Sequence, residues 1–120
     1  MGFTSSMNAS GIIIHGAKDG LEAIAREPGA LLRSAPGAAL YAGALWWREL
    51  IAQLRAQTGW QGRAYLDCGD QAAVAVEAIH GGVGWLILEP DCPLFAEIAV
   101  LAAKAGGEVL RGPKILSPLS

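Results

Sequence analysis

Charged residues are scarce in this chain, and long apolar runs and cysteines are few. Only 17% of the 120 residues are Asp, Glu, Lys or Arg, and the net charge is −2. The sequence contains no Lys/Arg cluster of the kind that binds a phosphate backbone, so nucleic acid is disfavoured as a partner. Hydrophobic residues make up 52% of the chain, so few charged side chains are left to cover the apolar surface. This composition favours self-association into a homo-oligomer.

Membrane segments and export signals are also missing. The longest apolar stretch, residues 36–47, is followed at once by Arg48 and Glu49 and is shorter than the roughly 20 apolar residues that span a bilayer. The first ten residues have neither the basic start nor the apolar centre of a signal peptide. Two cysteines without such a signal indicate reduced thiols. We therefore expect a cytoplasmic protein that does not bind membranes.

The spacings that identify common cofactor and metal sites do not occur. The sequence has no GxGxxG fingerprint and no Walker motif. It also lacks the CxxC and HxxxH spacings that are typical of zinc ligands. The prediction from these absences is a protein with no cofactor and no metal site.

What the chain does contain is a repeated succession of short apolar runs, each followed by small polar residues and then by a helical pattern. Four helical segments, with apolar residues at helical spacing, separate the runs. Asp19 is the predicted N-cap of the first segment, and the second is predicted as one helix from about 37 to 58. This succession is typical of a parallel sheet with crossover helices. It predicts an α/β three-layer sandwich with a five-stranded, mostly parallel sheet. The predicted strands are residues 11–15, 30–34, 64–67, 84–89 and 108–110.

Two strand orders fit this pattern. We favour a flavodoxin-like or Rossmann-like order, in which the first and third strands are neighbours. The alternative is a half barrel, which two chains would close as a dimer. In either case the pattern predicts a single α/β domain over residues 11–112, preceded by a flexible leader (1–10) and followed by a C-terminal tail (113–120).

Candidate catalytic residues stand at the carboxyl ends of the strands, the edge where such folds bind ligands. Cys68 lies where the third strand turns into a helix, a place that stabilises a thiolate. His15 ends the first strand and could exchange a proton with that thiol. The hypothesis is a Cys–His nucleophile built from His15, Asp67 and Cys68. The alternative interpretation of Cys68 is a small buried thiol of the core.

Polar residues at the other strand ends form a candidate ligand site. Arg33 and Ser34 precede a Pro-Gly turn into a helix, so they could hold a phosphate or a carboxylate. The alternative interpretation is a helix start without a ligand, in which Ser34 is the N-cap or the Pro36-Gly37 turn begins the helix. Asp70, Glu89 and Asp91 are further candidates at the same edge. The expected ligand is a small anion.

Trp46 is the candidate interface residue. It is adjacent to Trp47 on the longest helical segment, so the two side chains are about 100° apart around the helix. Trp47 shares the face of Leu50 and Leu54 and is predicted to be core, whereas Trp46 lies at the margin, where it can anchor a partner. As a whole the sequence favours a binding or interaction module that self-associates. The alternative is a small enzyme that uses the Cys/His pair on an anionic small molecule.

Overall fold

The computed structural model describes residues 11–112, so the predicted leader and tail lie outside the described residues. The α/β class and the five-stranded parallel sheet are confirmed. Within residues 11–112, no helix has the length and apolar character needed to cross a membrane. In chain order the elements are β1 (Ile12–Ile13), α1 (Ala17–Arg26), β2 (Leu32–Arg33), α2 (Ala38–Tyr41), α3 (Ala44–Thr58), β3 (Ala64–Asp67), α4 (Ala72–His80), β4 (Trp85–Leu88), α5 (Phe95–Lys104) and β5 (Glu108–Arg111).

The strands lie in the sheet in the same order as in the chain. Ile12 pairs with Leu32, and Leu32 pairs with Ala64, so β2 lies between β1 and β3. A flavodoxin-like order would place β1 beside β3, and the observed order differs from it. The sequential order is the one that the half-barrel alternative requires. Apolar periodicity reports which residues are buried and not which strands are neighbours, so it could not separate the two orders.

The described helices pack together on one face of the sheet. Their buried residues form a single cluster with alternate strand residues, among them Leu32, Leu66 and Leu86. A right-handed crossover between sequential neighbours places each helix on the same side as the one before it. On the opposite face, Tyr65 and Ile87 form a separate buried cluster, which includes no residue of a described helix. The two faces of the sheet therefore have different surroundings.

Local hydrogen bonds and glycines shift two helix boundaries from their predicted positions. The single helix predicted from about 37 to 58 is divided at Gly43, whose φ of 89° interrupts it between α2 and α3. Asp19, predicted as the N-cap of α1, is instead the third residue of that helix. Its carboxylate accepts the backbone N–H groups of His15 (2.8 Å) and Gly16 (2.9 Å). The N-terminus of α1 is therefore occupied by a carboxylate of its own chain.

Candidate functional site

A buried ion pair joins the carboxyl ends of β2 and β3. Arg33 Nη2 lies 2.8 Å from Asp67 Oδ2, and each side chain is only 7% exposed. The other oxygen of Asp67 accepts the backbone N–H groups of Gly37 (2.9 Å) and Gly69 (2.8 Å). Arg33 Nε donates to the Ser34 carbonyl at 3.2 Å. Both buried charges thus have a partner of opposite sign and further hydrogen bonds, as burial of an ion pair requires.

Ser34 and two glycines complete this network. Ser34 Oγ accepts the N–H of Asp67 (2.9 Å) and donates to the Ala35 carbonyl (3.1 Å), and the residue is fully buried. Gly37 and Gly69 both have positive φ, 68° and 61°, a conformation that glycine adopts without strain. Arg33 and Ser34, which the sequence suggested as ligands of an anion, therefore bind groups of the protein itself, and Asp67 takes the place of the anion.

The two cysteines lie in the core. Both are free thiols and both are buried; Cys68 has no exposed surface. Burial raises the pKa of the Cys68 thiol to about 12, and the nearby Asp67 and Cys92 contribute to the increase. Burial also raises the pKa of Cys92. Such surroundings favour the neutral thiol, so they do not supply the activated thiolate that the Cys–His hypothesis requires.

His15 lies apart from Cys68. The side chain of His15 is 70% exposed, and its Nδ1 is 3.2 Å from Asp19 Oδ2. The strands that these two residues follow are separated by β2. Burial tends to raise the pKa of Asp19, but the hydrogen bonds from His15 and Gly16 bring it below its ordinary value. The structure therefore brings His15 together with Asp19 and not with the thiol.

The remaining acidic candidates lie around the ends of β3 and β4. Asp70 is exposed, and its Oδ1 accepts a hydrogen bond from Gln71 Nε2 at 2.8 Å. The backbone N–H of Glu89 donates to the Gly69 carbonyl at 2.9 Å, which ties the two strand ends together. Asp91 is exposed on the loop that follows β4. Across residues 11–112, no group of three His, Cys, Asp or Glu side chains is placed to hold a metal ion.

A cavity of about 310 Å³ opens at this carboxyl edge, beside β1 and β2. Three of the side chains that line it can make specific contacts, namely those of His15, Tyr41 and Trp46. Tyr41 is 73% exposed at the rim, whereas Trp46 is partly buried, with its ring centroid 5.6 Å from that of Trp47. The rest of the lining is apolar and mostly small: Ile14, Ala35, Ala38 and Ala42.

Sequence reasoning identified two of these lining residues and missed the others. His15 was predicted as a strand-end residue and Trp46 as a residue at the margin of a helix. Tyr41 was not singled out because the sequence predicted one continuous helix through this region. The only signal was Gly43, which marks the break that separates α2, with Tyr41, from α3, with Trp46. The site could therefore be found only in part from the sequence.

Comparison of the chain with protein-family models, with curated proteins and with solved structures gave no match in any of the three. The carboxyl edge has three features: an ion pair whose two groups have close partners, two buried thiols, and an aromatic cavity beside β1 and β2.

The ion pair should contribute strongly to stability. We expect Asp67→Asn to lower the free energy of unfolding by on the order of 3 kcal/mol, because the buried guanidinium of Arg33 loses the charge of its partner. Glu49→Gln is the matched control, since it removes an exposed ion pair with Arg48 (3.5 Å) and should change stability far less. Denaturant unfolding followed by tryptophan fluorescence measures both variants. An equal loss of unfolding free energy in the two variants would contradict a strong contribution of the Arg33–Asp67 pair to stability.

Both cysteines should resist alkylation in the native protein. At about pH 8 the raised pKa values keep the thiolates scarce, and burial excludes iodoacetamide. An Ala103→Cys variant adds an exposed thiol on α5 as a matched control, and only this thiol should be labelled rapidly in the folded protein. Intact-mass spectrometry with peptide mapping follows the reaction. Rapid labelling of native Cys68 would contradict the prediction and restore the enzyme hypothesis.

Proposed function

We propose that this chain is a binding module whose ligand site is the carboxyl-edge cavity. The observation that carries the proposal is the cavity itself, which has Tyr41 at its rim and Trp46 in its wall. It lies at the edge of the sheet where parallel α/β folds bind their ligands. Its volume of about 310 Å³ falls at the lower end of the range of small-molecule sites.

The residues lining the cavity favour a flat, uncharged ligand. Ile14 and the three alanines provide apolar surface, and the rings of Tyr41 and Trp46 can stack on an aromatic ligand. The imidazole of His15 supplies a polar group that can orient such a ligand by one hydrogen bond. Arginine and lysine are absent from the described residues that line the cavity, so a small anion is disfavoured here.

The hydrogen bonds around the Arg33–Asp67 ion pair fix the position of one wall of the cavity. The N–H of Gly37 is held by Asp67, and α2 begins at the next residue, Ala38. Ala38 and Tyr41 belong to this short helix and line the cavity, so the network fixes where both of them lie. A site whose walls are fixed in advance loses little conformational entropy when a ligand binds.

Indole is a suitable probe of this site, because it is flat, uncharged and able to stack. We expect indole to shift the amide resonances of Ala38 and Ala42 in an NMR titration. Ala42→Leu should fill the cavity and weaken the binding by about tenfold or more. Ala73→Leu makes the same change on the exposed face of α4, outside the cavity, and should leave the affinity unchanged. Unchanged affinity in Ala42→Leu, or shifts elsewhere, would contradict the proposal.

Self-association is a second candidate function, which a separate observation favours. Leu40, Tyr41 and Leu45 lie within six positions of one another at the same edge, and each is more than half exposed. Large apolar side chains grouped in this way are typical of interfaces between proteins. A second copy of the chain presents the same group, so the contact that fits it best is a symmetric dimer.

Leu45→Glu should disrupt this dimer, because it would bury a charge at the contact. We expect sedimentation velocity at about 100 μM to find the wild type as a dimer and Leu45→Glu as a monomer. Val100→Glu is the control, since Val100 is similarly exposed but lies on α5. A monomeric wild type, or dissociation by Val100→Glu alone, would rule out an interface at this edge.

A further inference from the structure

Two adjoining cavities lie at the amino ends of β3 and β4, on the edge opposite the proposed ligand site. One of about 320 Å³ is lined by Arg55, Arg63 and Trp85, with residues 61, 62 and 64. The other, of about 270 Å³, adds Arg48 and apolar surface that includes Val83. Arg55 and Trp85 line both cavities, so the two meet at these side chains. We call the pair the arginine groove, after Arg48, Arg55 and Arg63.

Arg55 is the central residue of the groove, and part of its guanidinium has no partner. Its Nη1 donates to the carbonyls of Trp60 (3.3 Å) and Gly62 (2.9 Å), and the guanidinium lies 4.9 Å from the centroid of the Trp60 ring. Its Nε and Nη2 make no hydrogen bond with a residue between 11 and 112, and no carboxylate there forms an ion pair with it. Burial lowers the pKa of Arg55, because the cation has lost water without gaining an anion.

Arg48 and Arg63 add positive charge to the groove, and the glutamates near them neutralise it only weakly. Arg63 Nη1 is 3.5 Å from Glu108 Oε2, and Arg48 Nη2 is 3.5 Å from Glu49 Oε2. Both distances exceed that of a direct charge-assisted hydrogen bond. Arg48 Nη1 donates instead to the Gly81 carbonyl at 2.9 Å. Of the described residues that line the two cavities, none is acidic.

We propose that the arginine groove binds a small amphipathic carboxylate. The carboxylate lies on Arg55, whose Nε and Nη2 can donate to its two oxygens in the fork geometry that guanidinium groups favour. The apolar body of the ligand packs against Trp85 and Val83. An uncharged amide of the same shape has one acceptor oxygen instead of two and no negative charge, so it leaves one of these donors unsatisfied and binds more weakly. This site is independent of the carboxyl-edge cavity and of the ligand proposed for it.

1-Naphthoate is the probe of this proposal, and 1-naphthamide is its uncharged counterpart. In an NMR titration, 1-naphthoate should shift the amides of Gly62, Ala64 and Gly82 and should bind about tenfold or more tightly than the amide. Arg55→Gln should weaken the binding of 1-naphthoate by about tenfold and that of 1-naphthamide far less, because the amide has no charge that could lose its contact with the guanidinium. Arg26→Gln removes an exposed arginine of α1 outside the groove and should change neither affinity.

A second variant covers the case in which Arg55→Gln fails to fold, since Arg55 also holds two backbone carbonyls. Arg48 and Arg63 are exposed, and replacing both with glutamine should weaken 1-naphthoate by about fivefold or more. Equal affinity for the two probes, unchanged affinity in these variants or shifts confined to the carboxyl edge would overturn the proposal. So would the absence of binding up to about 10 mM probe.

Discussion

The buried Arg33–Asp67 pair is the constraint on which the carboxyl edge of this protein depends. Removing two charges from water is costly, and the cost is offset only when both have close partners and further hydrogen bonds. Here those bonds come from the backbone of Gly37 and Gly69, both with positive φ, and from Ser34. Meeting this requirement fixes where β2 and β3 end and where α2 begins. The cavity beside it has its shape because α2 starts at that point.

The sequence predicted the class of fold and most of the strands because burial leaves a periodic pattern. It could not predict the pairing of Arg33 with Asp67, since these residues are 34 positions apart and meet only because β2 and β3 are neighbours. The local sequence around an arginine at a strand end is the same whether the arginine binds a ligand or forms an ion pair with an aspartate of the protein. The order of the strands was open for the same reason: a strand buried on both faces has the same composition wherever it lies in the sheet.

The position of Cys68 depends on the same missing information as the ion pair. Successive residues of a strand point to opposite faces of the sheet. Leu66 and Cys68 therefore share the face that the helices cover, and Asp67 between them faces the other side. Once all described helices pack on one face, the thiol becomes part of the core and the aspartate becomes available to Arg33. The missing information was which face the helices cover, and this follows from the strand order.

The same reasoning explains why we propose an anion site at the amino edge of the sheet and not at the carboxyl edge. Parallel α/β folds usually bind anions with helix N-termini and with cationic side chains at strand ends. In this chain one example of each device is already occupied: Asp19 accepts the N–H groups of His15 and Gly16 just before α1, and Asp67 neutralises Arg33. The exposed Asp70 and Asp91 make that edge still less favourable to negative charge. A cation without an internal carboxylate is better suited to an anion, and among the described residues Arg55 at the opposite edge meets that condition.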